Sequence, residues 1–415
     1  GDSSMISDEF IRAIPKTDLH MHLDGSLRIE TIIELAKAEN IELPAYTVEG
    51  LRAEVFKDSY ASLVDYLRGF QYTCAVMNKP ENIERIAYEL GVDNFSEGVR
   101  YFETRFAPQL HATDTMDISA VIRAVNRGLE RAKAEFNATE AVKSGEEPEY
   151  EAAMILIAMR AFDSNTSPYY ARLKQVHPHL NPTKLAELAS STLAREAVHA
   201  SREEGLSVVG FDIAGPEDGF PAITHAEAYQ FIHKHFLKKT VHAGEAYGPE
   251  SIYQALTSCF ADRIGHGCYV FRADMVKTKS KPEKFVEHIV EHLASHRVPI
   301  EVCPSSNLQT TPEYKNDLCN HPFKDMLKAR LSATICTDNR LVSHTTATRE
   351  YTLAVRTFNM TPKQLKETVI AGFKGSFFPR PYLEKRAYVR KIINYYERLE
   401  KQMLLLPAAA HPYSP

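Results

Sequence analysis

Two histidines, His20 and His22, stand two residues apart in the otherwise apolar segment TDLHMHL. In an extended chain, side chains at that spacing project to the same face, so both imidazoles can reach one ligand. Three later segments carry groups of the same kind: His242 and Glu245 in HAGE, His266 in GHG, and Asp338 followed by Asn339 in TDN. A third nitrogen from His242 and an oxygen from Asp338 would complete a set of three imidazoles and one carboxylate. That set suits Zn²⁺, whose bonds to such ligands are about 2.0–2.2 Å long. Zinc lowers the pKa of a bound water to about 7, which makes hydroxide available at neutral pH. A lone His-x-His is a weak signal. Its co-occurrence with HAGE and TD gives the reading of one zinc ion per chain, held by His20, His22, His242 and Asp338.

Other histidines look similar and fail on geometry. His233 and His235 repeat the spacing inside the helical pattern AYQFIHKHFLKK, where residues two apart point to different sides. His288, His292 and His296 recur every four residues and would line one face of a helix. A helix lying outside the sheet would turn that face to solvent.

The elements that must position the four groups follow from hydrophobic patterning. Short apolar runs at 17–23, 99–106, 153–160, 207–214, 239–245, 263–267, 299–305 and 332–338 alternate with amphipathic stretches. Eight strand–helix alternations predict an α/β protein with a (β/α)8 TIM barrel. The wide gap between the first two strands holds several helical patterns, expected to form a helical cap over one barrel end. Further helices are expected after Arg380, and residues 406–415 read as a flexible tail. Residues 1–4 read as a leftover of recombinant expression, and 1–415 as a single hydrolase domain. Chemistry in such barrels sits where strands end. The histidine, glutamate and aspartate groups fall at the ends of strands one, five, six and eight.

Composition narrows the partners. Of 415 residues, 44% are hydrophobic and 25% charged, which fits a globular protein with a large core. A net charge of -5 without any Lys/Arg run speaks against a nucleic-acid polymer as partner. No apolar stretch is long enough to span a membrane. Six scattered cysteines without a CxxC pair read as reduced thiols of a cytoplasmic protein.

PKTDLHMHLDGSL, FETRFAPQ, GFDIAGPE, VHAGE, DRIGHG, EVCPSSN and TDN, in this order, resemble the adenosine deaminase family of metal-dependent hydrolases. The resemblance runs from about Pro15 into the helices after Asn339. It implies a (β/α)8 barrel with one catalytic zinc, the four ligands named above, and acid/base roles at Glu245 and His266. Relatives with two metals bridge them through a carboxylated lysine on strand four. Here that strand reads VVGFDIAG and has no lysine, in keeping with one metal.

In that setting the substrate is a small purine nucleoside and the co-substrate water. A protonated Glu245, three residues after His242, would donate to purine N1 and make C6 electrophilic. His266, between two glycines, would hydrogen-bond the zinc water as a base or as an electrostatic stabiliser. Asp338 would both ligate zinc and orient the water. Gly215 matches the family glycine whose amide contacts purine N3. Asp24 matches the residue that accepts from the ribose 5′-hydroxyl, and it argues against a 5′-phosphate because two anions would meet in a low-dielectric pocket. Related deaminases of the free base carry glutamate at that place. Asn339 departs from the second aspartate of many members, and its amide can donate to N7 at any pH. The expected reaction converts adenosine or 2′-deoxyadenosine to the inosine counterpart and ammonia. Another 6-aminopurine compound (adenine, aminodeoxyfutalosine or a modified adenosine) is the alternative, and a catalytically silent binding relative is a more remote one.

Overall fold

Apolar runs without alternation, such as the AAMILIA of residues 152–158, are what a parallel strand buried on both faces requires. In the computed structural model of the chain, which describes residues 3–404, eight such runs form strands. They are β1 (Lys16–His22), β2 (Val99–Phe106), β3 (Glu151–Met159), β4 (Val208–Ala214), β5 (Lys238–Ala243), β6 (Arg263–His266), β7 (Pro299–Val302) and β8 (Ser332–Ile335). The strands pair in sequence order and all in parallel. A bridge between Met21 and Asp338 brings the segment after β8 back to β1. There the His22 N–H donates to the Asp338 carbonyl and the Asp338 N–H to the His20 carbonyl, both at 2.8 Å. The result is the expected (β/α)8 barrel, nearly closed and surrounded by helices.

Each strand serves two layers. On β2, Glu103 and Arg105 point inward to partners on other strands. Phe102, on the opposite face, packs its ring 5.4 Å from Phe95 of the helix Pro80–Ser96. Between β1 and β2 lie the helices Ile29–Glu39, Val48–Glu54, Leu63–Leu67 and Phe70–Val76, which supply the cap, before Pro80–Ser96 joins the layer outside β2. The cap touches the barrel loops through Tyr60, whose hydroxyl donates to the Val342 carbonyl at 2.5 Å. Beyond β8 come Ala347–Thr357, Pro362–Lys374 and Tyr382–Leu399. The second of these starts on a capping box of Thr361 and Gln364.

Strand ends differ from expectation by a few residues, for local reasons. β7 stops at Val302 because Pro304 opens the helix Pro304–Thr310, a position where proline's fixed φ suits the first turn. β8 stops at Ile335, and Asp338 adopts a left-handed φ of 66°. The look-alike histidines stay apart from the barrel. His233 stacks on Phe260 at the surface, and His288, His292 and His296 are exposed on or just after the helix Pro282–Ser295. All six cysteines are unpaired, and four are buried. No helix among the described residues is long and apolar enough to cross a membrane. The expectations for residues 1–2 and for the tail 406–415 lie outside the described residues.

Candidate active site

Strand geometry places the histidines of β1 as the spacing predicted. His20 is fully buried, with Nε2 3.1 Å from Asp338 Oδ1 and Nδ1 2.9 Å from Glu301 Oε1 on β7. His22 Nε2 lies 3.2 Å from the same Asp338 oxygen. His242, on β5, has Nδ1 2.8 Å from Asp212 Oδ2 on β4, which leaves its Nε2 for the centre. The His20 ring lies 4.6 Å from that of His242, 4.7 Å from that of His266 and 5.3 Å from that of His22. Ligand atoms of His20, His242, His266 and Asp338 gather within 4.8 Å of one another. His266 therefore sits as close to the centre as the expected ligands, whereas His22 joins it through Asp338.

The electrostatics favour neutral rings at His20 and His242 and an anion at Asp338. Burial pushes His242 down to about 3 despite Asp212, and burial with Arg105 nearby lowers His20 as well. Burial would raise Asp338, but His20 and His22 outweigh it and hold the carboxyl well below its usual range. His22 moves the other way: burial lowers it, and its contacts with Asp338 more than restore it. Glu245 is raised by desolvation, with Asp338 and Glu217 adding to the effect. It lies in the turn after β5, where its Oε2 is 3.3 Å from His266 Nε2.

Backbone shape is part of the arrangement. His266 has a φ of 70°, an uncommon value for a residue with a side chain. A Cβ at the preceding Gly265 would meet Glu301 Oε1 at 3.2 Å and His20 Cε1 at 3.3 Å. Any larger residue there would press on the β1 histidine and its carboxylate partner, which would have to give by a few tenths of an ångström.

The substrate-facing predictions divide. Asp24 lies in the 3-10 turn Leu23–Gly25 and is 8% exposed. Gly215, just past β4, is exposed with a φ of 110°, so any other residue there would be strained. Asn339 is buried, its amide donates to the Tyr66 hydroxyl at 2.9 Å, and its Oδ1 has no partner. The amide expected to face purine N7 is thus engaged by the cap in this structure.

Several contributors went unassigned in the sequence. Glu217, in GFDIAGPE, accepts from the N–H groups of Gly244, Glu245 and Ala246 at 2.8, 3.1 and 2.8 Å. It thereby fixes the turn that carries Glu245. Asp212 and Glu301 orient His242 and His20 as carboxylate partners of the rings. Ser306 donates to Asp338 Oδ2 at 2.7 Å. Behind His266, the Phe323 N–H donates to His321 Nδ1 at 3.1 Å. His321 Nε2 lies 3.0 Å from Asn307 Oδ1, and Asn307 Nδ2 lies 3.0 Å from His266 Nδ1. Carboxylates inside apolar strand runs were the available signal, because a buried charge requires a partner. Nothing local marked His321.

An eight-stranded parallel barrel whose strand ends gather imidazoles and carboxylates about one point places a site where (β/α)8 enzymes carry their chemistry. The profile of the family described as adenosine deaminase matches residues 15–395, and the chain belongs to that family. It is 34% identical over 390 residues to an adenosine deaminase of Mycobacterium avium, covering 93% of this chain and 96% of that protein. It is 33% identical over 377 residues to a probable adenosine deaminase of Dictyostelium discoideum, where 91% of this chain spans 42% of that protein. An adenine deaminase structure from Arthrobacter aurescens superposes with a TM-score of 0.71 at 20% identity, covering 93% of this chain and all of that one. That likeness concerns the fold. Family membership makes a hydrolytic deaminase the activity to be explained.

Proposed function

We propose that the chain catalyses the zinc-dependent hydrolytic deamination of adenosine or 2′-deoxyadenosine, giving inosine or 2′-deoxyinosine and ammonia. The observation that carries this reading is His20 Nε2: a fully buried nitrogen without a hydrogen-bond partner, aimed at an anionic Asp338 and two further imidazoles. Buried polar atoms are nearly always satisfied, so an orphan there calls for an occupant. Neutral imidazoles and one carboxylate are the donor set of zinc. His20, His22, His242 and Asp338 would hold one ion. Zinc, when bound, supplies a Lewis acid that makes hydroxide accessible at neutral pH.

The protein's own groups do the rest. Desolvation raises the Glu245 carboxyl above its ordinary range, which favours the protonated form that donates to purine N1 as the water oxygen adds at C6. The now ionised Glu245 takes the proton of the new C6 hydroxyl and passes it to the amino group, so the C6–N bond breaks, C6=O forms and ammonia leaves. Asp338 orients the attacking water, itself held by Ser306.

The hydrogen-bond chain behind His266 supports one of its two expected roles. The Phe323 N–H can only donate, so His321 Nδ1 accepts and its proton sits on Nε2, consistent with burial pushing His321 down to about 3. His321 then donates to Asn307 Oδ1, and the Asn307 amide donates to His266 Nδ1. Neutral His266 consequently carries its proton on Nε2, the nitrogen 3.3 Å from Glu245 and 3.8 Å from Asp338. It acts as a donor that stabilises developing negative charge, not as a base. Asp24 would accept from the ribose 5′-hydroxyl and the Gly215 amide would contact N3. Asn339 would reach N7 on release from Tyr66.

A panel of adenosine, 2′-deoxyadenosine, adenine and aminodeoxyfutalosine, followed by ultraviolet absorbance and ammonia release, tests the proposal alongside metal content. One zinc per chain with fastest turnover of adenosine or its deoxy form is the expected result. Turnover that survives complete chelation, or adenosine left unchanged while another compound reacts, overturns it.

A further inference from the structure

A second group of ligand-type side chains lies beside the mouth, where the cap meets the barrel. Asp24 comes from the turn after β1, Cys74 from the cap helix Phe70–Val76, and His111 from the short helix Pro108–His111 that follows β2. One ligand atom of each lies within 4.8 Å of the other two, and Cys74 Sγ is 3.7 Å from Asp24 Oδ2. Tetrahedral ligands at zinc bond lengths sit about 3.3–3.6 Å apart, so shifts of about 1 Å would complete a three-ligand site.

A cluster alone would carry little, but His111 adds an independent observation. It is 3% exposed, and neither ring nitrogen has a hydrogen-bond partner. A buried imidazole with both nitrogens unsatisfied forfeits its solvation without compensation. It is also a neutral lone-pair donor, since burial lowers its pKa.

We infer that Asp24, Cys74 and His111 form a second site for a soft divalent cation, zinc or cadmium, that ties the cap to the barrel and competes with the nucleoside. One thiolate and one carboxylate balance a dication, and the sulfur selects zinc or cadmium over magnesium. Binding breaks the Cys74 S–H bond, forms a metal–sulfur bond and releases the proton to water, so it tightens as pH rises. The competition rests on the proposed role of Asp24 at the ribose, whereas the site itself does not.

The test titrates the zinc-loaded enzyme with further zinc, and separately with cadmium, reading bound metal per chain, the ultraviolet absorption of a cadmium–thiolate bond, and adenosine turnover. The site is supported by a second, weaker equivalent that brings thiolate absorption. Cys74→Ser and His111→Asn should each raise the half-saturating concentration at least tenfold, while Cys319→Ser, at the exposed thiol, leaves it unchanged. Saturation at one metal per chain overturns the inference, as does a second equivalent indifferent to both substitutions. Failure of either variant to fold leaves the wild-type stoichiometry and absorption to decide. A second metal that binds through Cys74 without slowing turnover keeps the site and removes Asp24 from the ribose.

Discussion

The charged groups inside the barrel and those at its mouth are handled in opposite ways. Inside, Glu103, Arg105, Arg263 and Glu301 are fully buried and nearly saturated. Arg263 donates to Glu301 at 2.7 Å, Glu103 at 2.6 Å and the Gly375 carbonyl at 3.1 Å. Glu103 also accepts from the Tyr101 hydroxyl at 2.6 Å and the Phe377 N–H at 2.7 Å. Arg105 spans Asp212 and Glu301, and within these four residues only its Nε lacks a partner. At the mouth, His20 Nε2, Asn339 Oδ1 and both nitrogens of His111 are buried and unpartnered. His266 and Asp338 there hold left-handed backbone, which costs a residue with a side chain about 1–3 kcal/mol. Saturated charge fixes the shape of the barrel, and unsaturated donors held on that rigid frame are free to take a ligand.

The contrast can be broken most directly from the inside. Arg263→Met leaves Glu103 and Glu301 short of a counter-charge in the core, and should cost about 3–5 kcal/mol in urea unfolding. Wild-type stability in that variant would mean the interior network is as dispensable as the mouth. Glu245→Gln addresses the other region. Turnover should fall about 10²–10⁴-fold with zinc still bound and the unfolding midpoint unchanged or higher.

A pH series sharpens the contrast, because the two regions fail at opposite ends. In its proposed role Glu245 donates only while protonated, and desolvation raises its pKa, so activity should decline as pH rises through that raised pKa. The Gln variant should lack that alkaline limb. Asp212 is depressed to about 2, since His242 and Arg105 outweigh the burial that would raise it. Its stabilisation is therefore complete above the unfolded value near about 4 and disappears as pH falls toward 2, visible as acid unfolding in circular dichroism. The smallest effect lies away from both regions. Thr361→Ala removes one half of a capping box and should lower stability by about 1 kcal/mol in thermal unfolding without touching turnover.

Legibility in the sequence followed the range of the signal. The eight strands were readable because burial on both faces imposes a continuous apolar run, and the run reports itself locally. His20 and His22 were readable as a pair because strand periodicity is two, and the same rule set aside His233 and His235 on a helix. The carboxylates Asp212, Glu217 and Glu301 lay in plain view within the motifs, yet their roles depend on which ring or turn lies across the barrel. Tyr66 and His321 had no local mark at all. Tyr66 acts through a cap whose docking on the loops is a matter of packing, and His321, in a loop, acts through Asn307 on the helix Pro304–Thr310.

The order of residues by itself determined the barrel and the kinds of donor at its strand ends, since hydrophobic period and side-chain identity are properties of short stretches. Only the tertiary structure decided which nitrogen of each ring looks inward, which carboxyl is ionised and which donor is left without a partner. Those outcomes depend on distances between groups far apart in the chain, as between His20 and Glu301, 281 positions away and 2.9 Å distant. Hydrogen bonds and Coulomb forces act through space, and the sequence sets that space only once the chain has closed on itself.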